Sequence, residues 1–207
     1  MGGLVEDNAI TKIINRPKGM VIGDTQYSRN IFSFRWSNEE REAIGIYEVG
    51  FDNTNKKDEA YYTNTNQSFA FADGVVTASY GSATAKAHAD ILFTADDEDN
   101  GLGTEGEVKT EGLKTIRIRT VKAQAAGILE DTDWYIVRKA DAGTAVPSAI
   151  TTYRAAVRTK AAAMETAITN ASNTAAIQTL YTYVNTADEG DPVVLERPLG
   201  EFPVLGS

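Results

Sequence analysis

Residues 132–158 read TDWYIVRKADAGTAVPSAITTYRAAVR. Thr132 stands where a helix N-cap would stand. Asp133 places an acid in the first turn, where the helix dipole favours negative charge, and Gly143 and Pro147 supply a stop and a restart. The stretch predicts helix, tight turn, helix. Its second helix carries Ile150, Tyr153, Val157, Ala161, Met164 and Ile168 at steps of three and four, one apolar stripe with Arg154 and Arg158 beside it. Working outward from this unit, the chain divides by texture into a β-rich region over residues 1–81, a mainly helical region over 82–187 and an extended Pro-rich arm over 188–207. The expected class is α+β, with antiparallel β hairpins first, then the helical region and the arm.

Upstream, two β-prone runs flank Gly23-Asp24, and two more flank Asp73-Gly74; both dipeptides suit tight hairpin turns. Between them, Ser37 and Glu40 have the S-x-x-E spacing of a capping box, with Trp36 just ahead of the cap and a helix end near Gly45. Ile44, Ile46, Tyr47 and Val49 then suggest a strand. Residues 84–95, TAKAHADILFTA, are rich in alanine and predict a helix, and residues 108–130 predict another through Leu113, Ile116, Val121, Ala125 and Ile128. A last short helix is expected around Ile177, Leu180 and Val184.

With 207 residues the chain can bury a sizeable core without covalent staples. The absence of cysteine removes disulfides, thiolate nucleophiles and sulfur-ligated metals, and a single histidine, His88, leaves little room for a catalytic triad or an imidazole-rich metal site. The net charge is −9. It is uneven: residues 1–107 hold 9 Lys/Arg against 18 Asp/Glu, residues 108–170 hold 10 against 6, and the remainder holds 1 against 5. That balance argues against nucleic acid, whose phosphates require clustered cations. No window approaches the roughly 20 apolar residues of a membrane span, so a chain made in the cytoplasm and without membrane contact is expected. The opening MGGLVE departs from the myristoylation pattern at Glu6.

Three constellations invite chemistry, and each has a plainer reading. In residues 96–107, Asp96, Glu98, Asn100 and Glu107 could offer oxygens to calcium around a turn at Gly101, yet Glu98 and Gly103 depart from the EF-hand pattern. A solvated acidic linker is the reading adopted, and no metal is assigned. His88 with Asp90 could form a base and its partner; a structural histidine is preferred. Asp131 and Asp133 are explained by capping and dipole complementarity without acid–base work. Trp134, Tyr135 and Tyr153 with Arg154 and Arg158 could be interface anchors, but packing of Trp134 and Tyr153 between the two helices, with the arginines paired to Asp131, Asp133 or Asp141, is the expectation. No catalytic residue and no cofactor is assigned.

The arm, DPVVLERPLGEFPVLGS, holds three prolines and the apolar Val193, Val194, Leu195, Leu199, Phe202, Val204 and Leu205 without helical or strand phase. Apolar side chains in an arm need cover, either from the chain's own body or from a neighbour. These seven residues are the partner-binding candidates.

Thr132, Asp133 and Trp134, followed after a spacer by Tyr153, Arg154, Val157 and Arg158, form a T-D-W … Y-R-x-x-[LV]-R pattern that resembles tailed-bacteriophage tail proteins, notably the tail-assembly-chaperone and tail-fibre-assembly-like families. Trp36, Ser37, Glu40, Arg41, Ile44, Gly45, Ile46 and Tyr47 are similar to an opening found in phage tail and tail-fibre-like proteins. The two motifs cover about a quarter of the chain, counted directly along the sequence. The resemblance implies a protein that works by contact without turnover. The first expectation is a structural component of the virion tail, at the baseplate or fibre attachment, assembled in the host cytoplasm, homo-oligomeric and bound to other tail or fibre proteins. The second is a non-virion assembly chaperone.

Overall fold

The computed structural model describes residues 1–206. The fold is α+β and divides into two compact units, Met1–Thr84 and the chain from Ala85 onward.

The first unit is a curled sheet with short helical turns. Strands β1 (Gly2–Glu6) and β2 (Ala9–Ile14) form a hairpin through Asp7 and Asn8, both at positive φ (50° and 60°), the pair of angles a type I′ turn requires. A second hairpin joins β3 (Met20–Ile22) to β4 (Thr25–Tyr27) at Gly23-Asp24. A 3₁₀ turn, Arg29–Phe32, leads to α1 (Asn38–Glu42). The Ser37 hydroxyl accepts from Glu40 N at 3.2 Å, and Ser37 N donates to the Glu40 carboxylate at 2.7 Å, so the capping box is complete. Then come β5 (Ile46–Asp52), the short β6 (Tyr62–Thr63), and the hairpin of β7 (Gln67–Ala72) and β8 (Val75–Tyr80), whose turn residues Asp73 and Gly74 have φ of 52° and 77°.

These strands join in the order β2-β1-β5-β8-β7. The expectation of antiparallel hairpins needs one correction, because β5 and β8 pair in parallel, Val49 opposite Val76. A parallel neighbour needs a crossover, and the chain between residues 53 and 74 provides it, including β7 itself. Alternation along the strands separates two cores. Val5, Val49, Val76 and Ala78 face one side with Ile10 from β2 and Phe69 and Phe71 from β7, so the two edge strands lean over a shared core. Leu4, Ile14, Met20, Ile31 and Ile46 face the other side, closed by Phe32 and by Trp36 set edge-on to Tyr27. Gly45 ends the α1 turn at φ +83°, and its nitrogen and carbonyl sit so close to β1 that a Cβ there would lie 2.6 Å from Val5 O. The same contact supplies the bond from Val5 N to Gly45 O, 2.8 Å.

Strand β9 (Thr84–Ala85) spans the division, and the second unit continues with β10 (Ile91–Leu92), α2 (Ala95–Asp99) and β11 (Val108–Thr110), which pairs with β10. Its core lies between α3 (Leu113–Glu130) and α5 (Ser148–Asn170). Lys114 Nζ reaches Thr169 O at one end and Arg154 reaches Leu129 O at the other, so the two helices run antiparallel. Val121 and Ala125 meet Val157, Ala161, Met164 and Ile168, the stripe expected from the sequence. Between them lies α4 (Asp133–Ala142), ended by Gly143 in the left-handed conformation, φ 69°. α6 (Thr174–Tyr181) adds Leu180 and Tyr181 to the same core.

The helix expected over residues 84–95 does not form. The carbonyls it would need are used elsewhere: Ala87 O and His88 O accept from Leu113 N and Lys114 N, and Lys86 O accepts from the Thr174 hydroxyl at 2.6 Å. The segment satisfies orphan donors at the start of α3 and braces the start of α6, a use incompatible with hydrogen bonding to its own next turn. Helix appears only from Ala95, where Thr94 and Asp97 make a second capping box.

Residues 188–206 belong to the second unit. They are not simply extended: β12 (Val184–Asn185) pairs with β13 (Leu195–Glu196), turning the segment between them into a hairpin loop, and Leu199 N donates to Leu180 O at 3.0 Å. No helix among the described residues is long and apolar enough to cross a membrane.

Candidate functional site

The helix-turn-helix stretch is built around a buried arginine. Arg154 is 6% exposed. One guanidinium nitrogen donates to Leu129 O at 2.8 Å and to the Thr132 hydroxyl at 2.6 Å, and the other donates to Asp133 Oδ1 at 2.7 Å. Thr132 in turn donates to Leu129 O at 2.9 Å, so its side chain makes no capping bond to α4. The expected Thr132 cap is replaced by this clamp. Arg154 fixes the end of α3, the Thr132 corner and the first residue of α4 from a single position on α5. The expected pairing of Arg154 with Asp133 is present; Arg158 is exposed.

What the clamp holds is unusual: α4 contains no buried residue. A ten-residue helix with no fully buried residue, and only Tyr135 and Arg138 half-buried, is marginal by itself. Its ends are secured by Arg154 on Asp133, and by the bond from Gly143 N to Lys139 O, 3.0 Å, with Lys139 suited to the C-terminal dipole. Trp134 does not pack between helices as expected; it is 50% exposed, and Ile136 and Val137 are exposed with it. Trp134 stacks on Tyr135 with centroids 3.8 Å apart, and the Arg138 guanidinium lies 4.7 Å from the Trp134 ring centre and 5.5 Å from that of Tyr135. Trp134, Val137 and Arg138 share one helix face by their spacing. Because the aromatic rings and the cation brace one another, little side-chain freedom remains to be lost on binding. Tyr153, by contrast, packs on the α3/α5 core.

The arm candidates separate into two groups. Val193, Val194, Leu195, Val204 and Leu205 are exposed. Leu199 is 4% exposed and belongs to the helical core, with Phe202 packed against it. These two side chains are covered by the chain's own body. A polar cluster pins the segment there: Arg197 donates to Gly200 O at 3.2 Å and pairs with Glu201, and Arg197 lies over the rings of Tyr181 and Tyr183. The Tyr183 hydroxyl donates to Glu201 Oε1 at 2.5 Å, which raises the Tyr183 pKa from its ordinary value. Tyr183 and Val184 are exposed; Val184, expected on the last short helix, instead lies in β12, since α6 ends at Tyr181.

The other constellations resolve into structure. Asp90 accepts from Gly112 N at 2.6 Å and from the Thr115 hydroxyl at 2.8 Å, capping α3 from 22 residues upstream because Gly112 has no side chain to do so. Those bonds hold its carboxyl below the usual range, the Gly112 bond contributing most. Asp90 is therefore not a partner for His88. In residues 96–107, Asp97 binds Lys109 at 2.7 Å and Thr94, and Glu98 accepts from Glu105 N at 2.8 Å. Among the described residues no three acidic or imidazole groups are gathered in a way that could hold a metal ion.

Compared with protein-family models, curated proteins and solved structures, the chain matches none.

Proposed function

We propose that this chain is a non-enzymatic structural component of a phage tail, at the baseplate or the fibre attachment, that docks on another tail or fibre protein through α4 and the exposed part of the C-terminal segment. The observation that carries the reading is the unpartnered α4. A short helix is clamped by a buried arginine at one end and stopped by Gly143 at the other, and it leaves Trp134, Ile136 and Val137 exposed. Aromatic and arginine side chains of this kind are the usual anchors of protein interfaces. Three of the motif residues that resemble phage tail proteins, Thr132, Asp133 and Arg154, are the ones that anchor this helix. The exposed Val193, Val194 and Leu195 offer a second apolar contact in the same unit.

Mass spectrometry of purified particles tests the reading. Stoichiometric presence in the virion is expected. A chain expressed in infected cells but missing from finished particles would overturn it in favour of an assembly factor that leaves.

A further inference from the structure

The first unit carries a cleft of about 230 Å³ with a mixed lining: Ile14, Pro17 and Phe32 are apolar, and Asn15, Arg41 and Glu48 are polar or charged. Its size narrows the class of ligand. A cavity of about 150 Å³ takes up benzene, and sites for drug-sized molecules run from about 300 Å³ upward, so the cleft suits a molecule slightly larger than a single ring.

The charges narrow it further. Arg41 is half-buried, and its guanidinium donates to Trp36 O at 2.9 Å, to Ile31 O at 3.5 Å and to Asn38 Oδ1. All three acceptors are neutral oxygens, so the head group is held in place with its charge unneutralised. An arginine has five N–H donors, so two remain for an anion. Glu48 is exposed, and its carboxylate accepts from the Asn38 amide nitrogen at 3.5 Å. Among the described residues neither Arg41 nor Glu48 belongs to an ion pair. The Asn38 side chain meets the cation through its oxygen and the anion through its nitrogen, and so holds the two charges apart by about the width of an amide. A cation and an anion, each without a counter-ion and set beside apolar side chains, are the complement of a zwitterion that carries an apolar group.

We propose that this cleft binds a free α-amino acid with an aliphatic side chain of the size of leucine. Its carboxylate pairs with Arg41, its ammonium with Glu48, and its side chain packs against Ile14, Pro17 and Phe32. Because Glu48 is exposed, its pair stays in contact with water, where such pairs contribute little. The Kd is accordingly on the order of 1 mM. The site is independent of α4 and of the tail assignment.

Heteronuclear NMR of the full-length chain, titrated at neutral pH with L-leucine to about 20 mM, runs well past that Kd. Saturable shifts centred on the amides of residues 14–16, 32, 41 and 46–48 are expected. Leucinamide, which lacks the carboxylate, and 4-methylpentanoate, which lacks the ammonium, are each expected to bind about tenfold more weakly, as suits the loss of a charge-assisted hydrogen bond. E48Q keeps the shape of the cleft and is expected to leave the thermal midpoint unchanged. It should weaken leucine about tenfold and leave 4-methylpentanoate binding as in the wild type. The absence of saturable shifts with leucine overturns the proposal. So does an E48Q chain that binds leucine as tightly as the wild type, or equal binding of leucine and either analogue, which would reduce the site to an apolar crevice.

Discussion

Arg154 donates to the hydroxyl of Thr132 at 2.6 Å inside the helical unit, and that bond joins the two halves of the sequence motif through space. The same guanidinium also donates to Leu129 O, on which the Thr132 hydroxyl and backbone nitrogen converge as well, at the end of α3.

Removing this side chain takes the guanidinium donor from the buried Thr132 hydroxyl and releases Asp133 from α5. R154M is expected to destabilise the second unit by about 2–4 kcal/mol and to reduce helical signal through loss of α4. D133N should cost under about 1 kcal/mol, because the Asp133 end of the pair is largely in solvent. Urea unfolding followed by circular dichroism checks both, and equal effects would refute the clamp.

The surface of α4 should behave oppositely. W134A and V137S are expected to leave the urea midpoint within about 0.5 kcal/mol of the wild type, while, on the tail role proposed above, incorporation into particles falls. Complementation of a deletion phage, read by particle mass spectrometry, tests the pairing of intact stability with lost assembly.

The C-terminal segment should split at Leu199. L199A is expected to cost about 2–5 kcal/mol, as for other large-to-small changes in a packed core. A triple serine substitution at Val193, Val194 and Leu195 should leave the melt unchanged. Truncation after Asp191 removes Leu199 and Phe202 together and is expected to cost the second unit its cooperative unfolding. An intact melt in the truncated chain would show that the core does not need them.

Gly112 admits no side chain: a Cβ there would lie 2.3 Å from the carbon and oxygen of Ala89. G112A is expected to destabilise by about 1–3 kcal/mol, the usual range for forced overpacking. The neighbouring Asp90 gives a pH signature. Its folded-state pKa is depressed by the Gly112 and Thr115 bonds, so its stabilising contribution is present above the unfolded carboxylate pKa of about 3.9 and is lost as pH falls through the lower folded value. D90A is therefore expected to lower the unfolding midpoint at neutral pH and to approach the wild type as pH falls below the ordinary carboxylate range. A constant difference across that range would show that the charge has no part in the cap.

Local signals were legible where the chain answers to its neighbours in sequence. The Ser37/Glu40 box, the turns at Gly23-Asp24 and Asp73-Gly74 and the apolar stripe of α5 all follow from spacing alone. Asp7-Asn8 carried the same turn chemistry but was passed over, since neither residue is glycine. What could not be read were choices made across distance. The alanine-rich segment 84–95 has helical composition, yet its carbonyls serve α3 and its Asp90 caps a glycine far downstream. The parallel pairing of β5 with β8 leaves no local mark. In the candidate site Trp134 was expected inside and stands half outside, because the arginine clamp supplies the anchoring that its burial would have provided.

Leu199 sets the order in which the two units can form. Every strand of the first unit's sheet lies before residue 81, so that sheet can close while the rest of the chain is still unstructured. The helical unit has no such freedom. Its core residues Val121 and Val157 share a cluster with Leu199, and the contact must wait for a long loop to close. Refolding should accordingly be biphasic, with the sheet unit fast and the helical unit slow. Under the docking role proposed for α4, that surface becomes competent only with the helical unit, which delays partner capture until this unit has folded.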